Sequence, residues 1–169
     1  MKHKLWRQRR SGFTLLELII VVTIIALLAA ATFVAVDPAK RIGQARNAQR
    51  WSDITAVLNA VMTYVVDNNG TYPATGSWSN NQLYVLGTGA GGCNNNSYAD
   101  CTASTTEQAN CLNLSSDLVD TYLASIPQDP GNNAGVASYT DYFIYKTTSG
   151  RVTVGACERY NNEIIEVSR

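Results

Sequence analysis

The sequence is poor in the residues on which most enzymes and metal sites depend. It has one histidine, His3, and four cysteines, Cys93, Cys101, Cys111 and Cys157, with no CxxC spacing among them. A zinc site of the common kind therefore has no ligand set to draw on. No Gly-Lys-Ser/Thr phosphate loop and no GxGxxG turn occurs, and the glycine-rich GTGAGG at Gly87 to Gly92 lacks the following lysine and helix. Charge is missing locally too. No acid accompanies Lys2, Lys4, Arg7, Arg9 and Arg10 in the first twelve residues, and no lysine or arginine lies between residues 11 and 39. An acid in that second stretch would have no cation to pair with.

The totals cancel, 13 Lys+Arg against 13 Asp+Glu in 169 residues, but from Phe13 onward the balance is 8 minus 13, or −5. A nucleic-acid binder driven by overall positive charge is excluded, and DNA contact would need a local patch such as Arg151 with Arg159. What the chain does have is one apolar run. Of the 24 residues from Phe13 to Val36, 20 are apolar. As a helix the run is about 36 Å long, against about 30 Å of bilayer hydrocarbon. Its 15 Leu, Ile, Val and Phe residues favour insertion by about 5 to 9 kcal/mol in sum, whereas one mid-membrane carboxylate costs about 3. Insertion wins despite Glu17.

Two ordinary readings compete. A secretory signal peptide would combine the basic start, the apolar run and Ala29-Ala30-Ala31 as a cleavage site, but Glu17 interrupts the run and apolar residues continue through Phe33, Val34 and Val36. A plain membrane anchor explains the length and leaves Glu17 unpaired.

Taken together, Lys2 to Arg10, Ser11-Gly12 and Phe13-Thr14-Leu15-Leu16-Glu17-Leu18 resemble the class III signal of type IV prepilins and of type II secretion pseudopilins. The resemblance implies that a membrane-embedded aspartyl peptidase cuts between Gly12 and Phe13 on the cytoplasmic side and N-methylates Phe13. Gly12 suits such a cut because a residue without Cβ lets a protease approach the backbone. Cleavage would also create the missing cation: the new amine at Phe13 could pair with Glu17 of its own or a neighbouring subunit. A pair left half-made in low dielectric is expensive, which would select one packing register.

Asp37-Pro38 ends the apolar run, with Asp suited to an N-cap and Pro to the first helical position, so a kink is expected there. Beyond it Ile42, Ala45, Ile54, Val57, Leu58, Val61, Tyr64 and Val65 recur mostly on one helical face. Asp67-Asn68-Asn69-Gly70 supplies a stop, with Pro73 following. The cluster Lys40, Arg41, Arg46 and Arg50 reads as a solvated or headgroup-facing side, or as a contact for acids on a neighbouring subunit. Residues 54 to 169 hold ten acids and four bases. From residue 75 to 112 the chain is polar, with Trp78, Tyr84 and Leu83 to Leu86 as anchors for an exposed loop. Ser116 to Ala124 then reads as a short helix, Asp141 to Lys146 and Val152 to Cys157 as strands joined by a Ser149-Gly150 hairpin, and Glu163 to Val167 as a last strand.

The expected fold is therefore α+β and similar to that of pilins. It comprises a leader 1–12, a membrane and assembly helix 13–36, its amphipathic second half 37–68, and a head 69–169 in which that helix packs on a small antiparallel sheet. The four cysteines are expected to pair, Cys93 with Cys101 and Cys111 with Cys157 being the favoured of three connectivities, which puts the head outside the cytoplasm and the leader inside. The charges flanking the span, five before and four after, do not decide this alone.

No cofactor is expected. The resemblance to pseudopilins raises calcium, for which Asp129 and Asp141 are candidate ligands, although isolated surface acids explain them as well. Loss of His3 with the leader would leave no histidine for a catalytic triad, so no enzyme is expected. The implied partners are further copies of the chain, the prepilin peptidase, an inner-membrane platform protein with its cytoplasmic ATPase, and membrane lipid before assembly. The implied location is the inner membrane and then a surface filament. The alternatives are a secretion pseudopilin and a tethered or tip binding module.

Overall fold

The structure is a computed structural model that describes residues 12–74, 76–91, 93, 106–107, 109–131 and 137–169. The basic leader, His3, Cys101 and much of the 75–112 region lie outside these. The chain forms two compact units, one ending at Arg41 and the other running from Ile42 to Arg169.

In the first unit, Thr14 holds an extended backbone and caps α1 (Leu15–Val36), none of whose residues is buried. The two threonines inside α1 return their hydroxyls to the helix: Thr23 Oγ1 donates to the Ile20 carbonyl at 2.8 Å and Thr32 Oγ1 to that of Ala29 at 2.9 Å. An apolar surrounding therefore meets no unsatisfied hydroxyl along the rod. The helix ends at Asp37, in the left-handed region at φ 43°, and α2 (Pro38–Asp67) begins at the next residue. Proline has no N–H to continue the ladder, and the Asp37 side chain accepts from the Lys40 amide at 3.3 Å, as an N-cap would.

In the second unit, α2 buries Gly43, Asn47, Arg50, Ile54, Val57, Leu58, Ala60 and Val61. Their spacing of three and four residues makes one stripe. Ile42 and Ala45, expected on that stripe, are exposed; in the first turns polar residues take the buried face instead.

The sheet has the order β2-β1-β3-β4-β5. Its strands are β1 (Gln82–Val85), β2 (Thr106–Glu107), β3 (Tyr142–Lys146), β4 (Val152–Ala156) and β5 (Glu166–Ser168). All pairings are antiparallel except β1 with β2. The β3–β4 hairpin turns at Gly150, whose φ of 85° suits glycine.

Period-two alternation gives the sheet two buried faces. Tyr84, Leu86, Tyr142, Ile144, Val152 and Val154 join Ile54, Val57, Leu58 and Val61 of α2 in the main core. Leu83, Val85 and Phe143 point the other way, into a second cluster with Cys93 and Cys157. Burial on both sides explains why Leu83 to Leu86 reads in sequence as an unbroken apolar anchor; most of it is β1, paired on both edges.

The helix expected at Ser116 to Ala124 is shorter, α3 (Ser115–Leu118). Val119 is extended and Asp120 left-handed at φ 71°, and the Leu123 amide turns back to the Leu118 carbonyl at 2.9 Å. Val119 and Thr121 are β-branched and extend a helix poorly.

Candidate functional site

At the start of α1, Thr14 and Glu17 close a capping box. The Thr14 amide and hydroxyl each donate to Glu17 Oε2 at 2.9 Å, and the Glu17 amide donates to Thr14 Oγ1 at 3.2 Å. One carboxylate oxygen, Oε2, is thus fixed to the helix N-terminus, and both of the Thr14 donor bonds fall on it. Phe13, one residue earlier, is 93% exposed. Glu17 is the only charged residue in α1, and the Thr-x-x-Glu signature ahead of an apolar run was open to sequence reading as a cap.

α1 is 22 residues long and, by length and composition, apolar enough to cross a membrane. A family model for the prokaryotic N-terminal methylation motif matches residues 7–33. Those residues are a class III prepilin signal. No curated protein and no solved structure matches the chain.

The prepilin signal and the α+β fold with its long apolar N-terminal helix support a type IV pilin-like or pseudopilin-like protein. Its motif belongs to structural proteins and is consistent with anchoring in a membrane. Gly12, Phe13 and Glu17 come together at one end of α1, where they border a single surface cavity with Thr14.

In the pilin-like head, Arg50 is not on a solvated or lipid-facing side. It is 3% exposed and binds Asp129, itself 2% exposed, through Nε to Oδ2 at 2.5 Å and Nη2 to Oδ1 at 2.7 Å. Glu158 lies 3.6 Å from Nη2. Burial works against the Arg50 charge, but the hydrogen bond and charge of Asp129, with Glu158, hold its proton more firmly than usual. Asn47 extends the clamp: its Nδ2 donates to the Tyr160 carbonyl at 3.0 Å and to Glu163 at 2.7 Å, and its Oδ1 accepts from Arg50 at 2.9 Å. Trp51 Nε1 donates to Glu163 at 3.2 Å. The first turns of α2 therefore hold the segment from Glu158 to Glu163, and Gly43 leaves room for the Tyr160 ring, which a Cβ would meet at 2.4 Å. Sequence reading missed this clamp, although Asn47 and Arg50 continue the stripe of Ile54 and Val57.

The two calcium candidates stand differently. Asp129 is engaged by Arg50 and by the Gly131 amide at 2.6 Å. Asp141 is buried at φ 60°. Its carboxyl is pushed up to about 6, by burial first and then by the charges of Glu158 and Asp129, with Arg50 opposing. Among the described residues no group of three or more acids, cysteines or histidines could hold a metal. Tyr142 Oη donates to Asp53 at 2.7 Å, joining β3 to α2. Burial raises the Asp53 carboxyl, that hydrogen bond lowers it, and the charge of Asp129 raises it further.

The favoured cysteine pairing needs correction. Cys93 is bonded to Cys111, not to Cys101, and Cys157 is also disulfide-bonded. Cys101 lies outside the described residues. Local spacing suggested a Cys93–Cys101 loop, but the Cys93 amide donates to the Ala109 carbonyl at 3.0 Å and the Cys111 amide to that of Gly89 at 3.2 Å. Backbone pairing thus brings the 109–111 segment to Cys93. Arg151 is exposed and Arg159 half-buried, and the charge of Arg159 acts on Glu166.

Proposed function

We propose that the chain is a structural subunit of a type IV pilus-like filament, not an enzyme, and that prepilin peptidase cuts it between Gly12 and Phe13 and methylates Phe13. One observation carries this reading: the methylation motif opens a helix that buries none of its residues and has one charge, Glu17, tied at its start. Such a surface needs lipid or other copies of itself. In the filament, the Phe13 amine of one subunit meets the Glu17 carboxylate of another, and the pair fixes register. The head, with its disulfides, lies outside the cytoplasm. Assembly proceeds from the inner membrane through a platform protein and its cytoplasmic ATPase.

A secretion pseudopilin is the second reading, in the same assembly class. The pilus is preferred because Asp129, a ligand candidate for a pseudopilin calcium, is held by Arg50. The head's excess of acids disfavours a DNA-gripping tip.

Intact mass and N-terminal sequencing of protein from native membranes test the reading. The expected start is methylated Phe13; a start at Met1 or Thr32 would overturn it. Glu17→Ala is expected to insert normally and give few filaments in the sheared surface fraction. Wild-type filament yield would remove the role given to Glu17.

A further inference from the structure

The turn that ends α2 carries a motif with no part in assembly as described above. Asp67-Asn68-Asn69-Gly70-Thr71 contains Asn-x-Thr, the acceptor pattern for N-linked sugar. Two other stretches fit that pattern, Asn95-Asn96-Ser97 and Asn113-Leu114-Ser115. The first of these lies outside the described residues.

The fold separates the remaining two. Asn69, Gly70 and Thr71 are all exposed. Asn69 is left-handed at φ 54° and Gly70 at φ 87°. Backbone bonds close the turn: the Gly70 amide donates to the Val65 carbonyl at 2.8 Å and the Thr71 amide to that of Asn68 at 3.0 Å. Among the described residues, no hydrogen bond ties the side chain of Asn69 or of Thr71. Asn68 differs, since its side-chain amide donates to the Tyr64 carbonyl at 2.9 Å. A Cβ on Gly70 would meet nothing within 4 Å, so the turn is open to a large partner. At Asn113 the side-chain oxygen accepts from the Ser115 amide at 2.9 Å, and the middle residue, Leu114, is 1% exposed in the core. Presenting that stretch to an enzyme would mean opening the head.

An amide nitrogen is a poor nucleophile because its carbonyl draws on the lone pair, so a transferase must surround the asparagine and reach the hydroxyl two residues on. Asn69 and Thr71 permit both without disturbing the core. Asp67, also exposed, adds a charged handle beside its bond from Tyr122 Oη at 3.1 Å. We propose that Asn69 is a glycosylation site, its sugar a bulky, solubilising surface group. The proposal rests on the head lying outside the cytoplasm, as the reading above has it and in keeping with its disulfides. On that side an activated sugar must arrive held by the membrane, so the donor is a polyprenyl-pyrophosphate-linked oligosaccharide. Asn69 Nδ2 bonds to the anomeric carbon, the bond from that carbon to the pyrophosphate oxygen breaks with its electron pair, and one amide proton leaves to a base of the transferase.

The test is peptide mapping by mass spectrometry of the full chain purified from its native membranes, with fragmentation that keeps side-chain sugars in place. Sugar mass is expected on Asn69 and none on Asn113. Thr71→Ser should keep it, whereas Asn69→Gln and Thr71→Val should lose it. Valine has the shape of threonine, and at this exposed position it leaves the fold intact. Asn-Gly can also lose ammonia and become aspartate, but that change needs no hydroxyl at residue 71 and adds no sugar. A bare or merely deamidated Asn69, sugar on Asn113 instead, or sugar that persists in Thr71→Val overturns the proposal. The same sample reports the N-terminus. A Phe13 start with bare Asn69 removes the sugar and leaves the filament reading, and a sugar with a Met1 start does the reverse.

Discussion

Replacing Asp141 by asparagine should stabilise the protein at neutral pH and leave it unchanged in acid. Asp141 is 7% exposed, and no described residue donates a hydrogen bond to its carboxylate. Moving that carboxyl from 3.8 to about 6 places up to about 3 kcal/mol on its charged form. The sign follows from which state holds the proton. Between about pH 4 and pH 6 the folded chain keeps a proton that the unfolded chain has released, so this group's contribution to stability falls as pH rises through that window. Asparagine carries no charge at any pH and tolerates the left-handed backbone at φ 60°. Asp141→Asn should therefore exceed the wild type by up to about 3 kcal/mol near pH 7.5 and match it near pH 4. Urea unfolding of both full-length chains in detergent, followed by tryptophan fluorescence at each pH, measures the gap, and the other titrating groups cancel in the difference. A gap that stays constant with pH, or widens in acid, refutes the reasoning.

Arg50→Met should cost about 3 to 5 kcal/mol, because it strands the Asp129 charge in the interior. Adding Asp129→Leu should recover most of that loss, and urea midpoints of the single and double variants decide it. Gly43→Ala should destabilise by about 1 to 3 kcal/mol through its clash with the Tyr160 ring. Helix propensity alone predicts a gain of about 1 kcal/mol, so a raised unfolding midpoint would show that the ring is not held there. Peptide mapping without reduction should yield a Cys93–Cys111 pair and leave Cys101 as the only cysteine available to Cys157, whereas a Cys93–Cys101 peptide contradicts the connectivity.

The sequence made the two N-terminal helices and the β3–β4 hairpin legible because their signals are local. Glu17 stands out in an apolar run, Asp37-Pro38 breaks a hydrogen-bond ladder by its own chemistry, and Gly150 announces a hairpin. What was not legible depends on partners far along the chain. Arg50 looks like the fourth member of a basic surface cluster until Asp129, 79 residues later, meets it in the interior. Leu83 to Leu86 looks like a loop anchor because a strand buried on both faces loses its alternation. Cys93 has a nearer cysteine in sequence than the one it joins, since backbone pairing around Gly89 and Ala109 sets the distance.

The bare surface of α1 also limits where a single subunit can exist. Fourteen large aliphatic and aromatic side chains along it are about half exposed or more, and wetting them all would cost on the order of 20 kcal/mol. No dissolved pool of free subunits can form at such a penalty. If the chain builds the filament proposed above, growth and dismantling would pass each rod directly between neighbouring rods and the bilayer, with the fluid hydrocarbon as the reservoir from which the fibre is drawn.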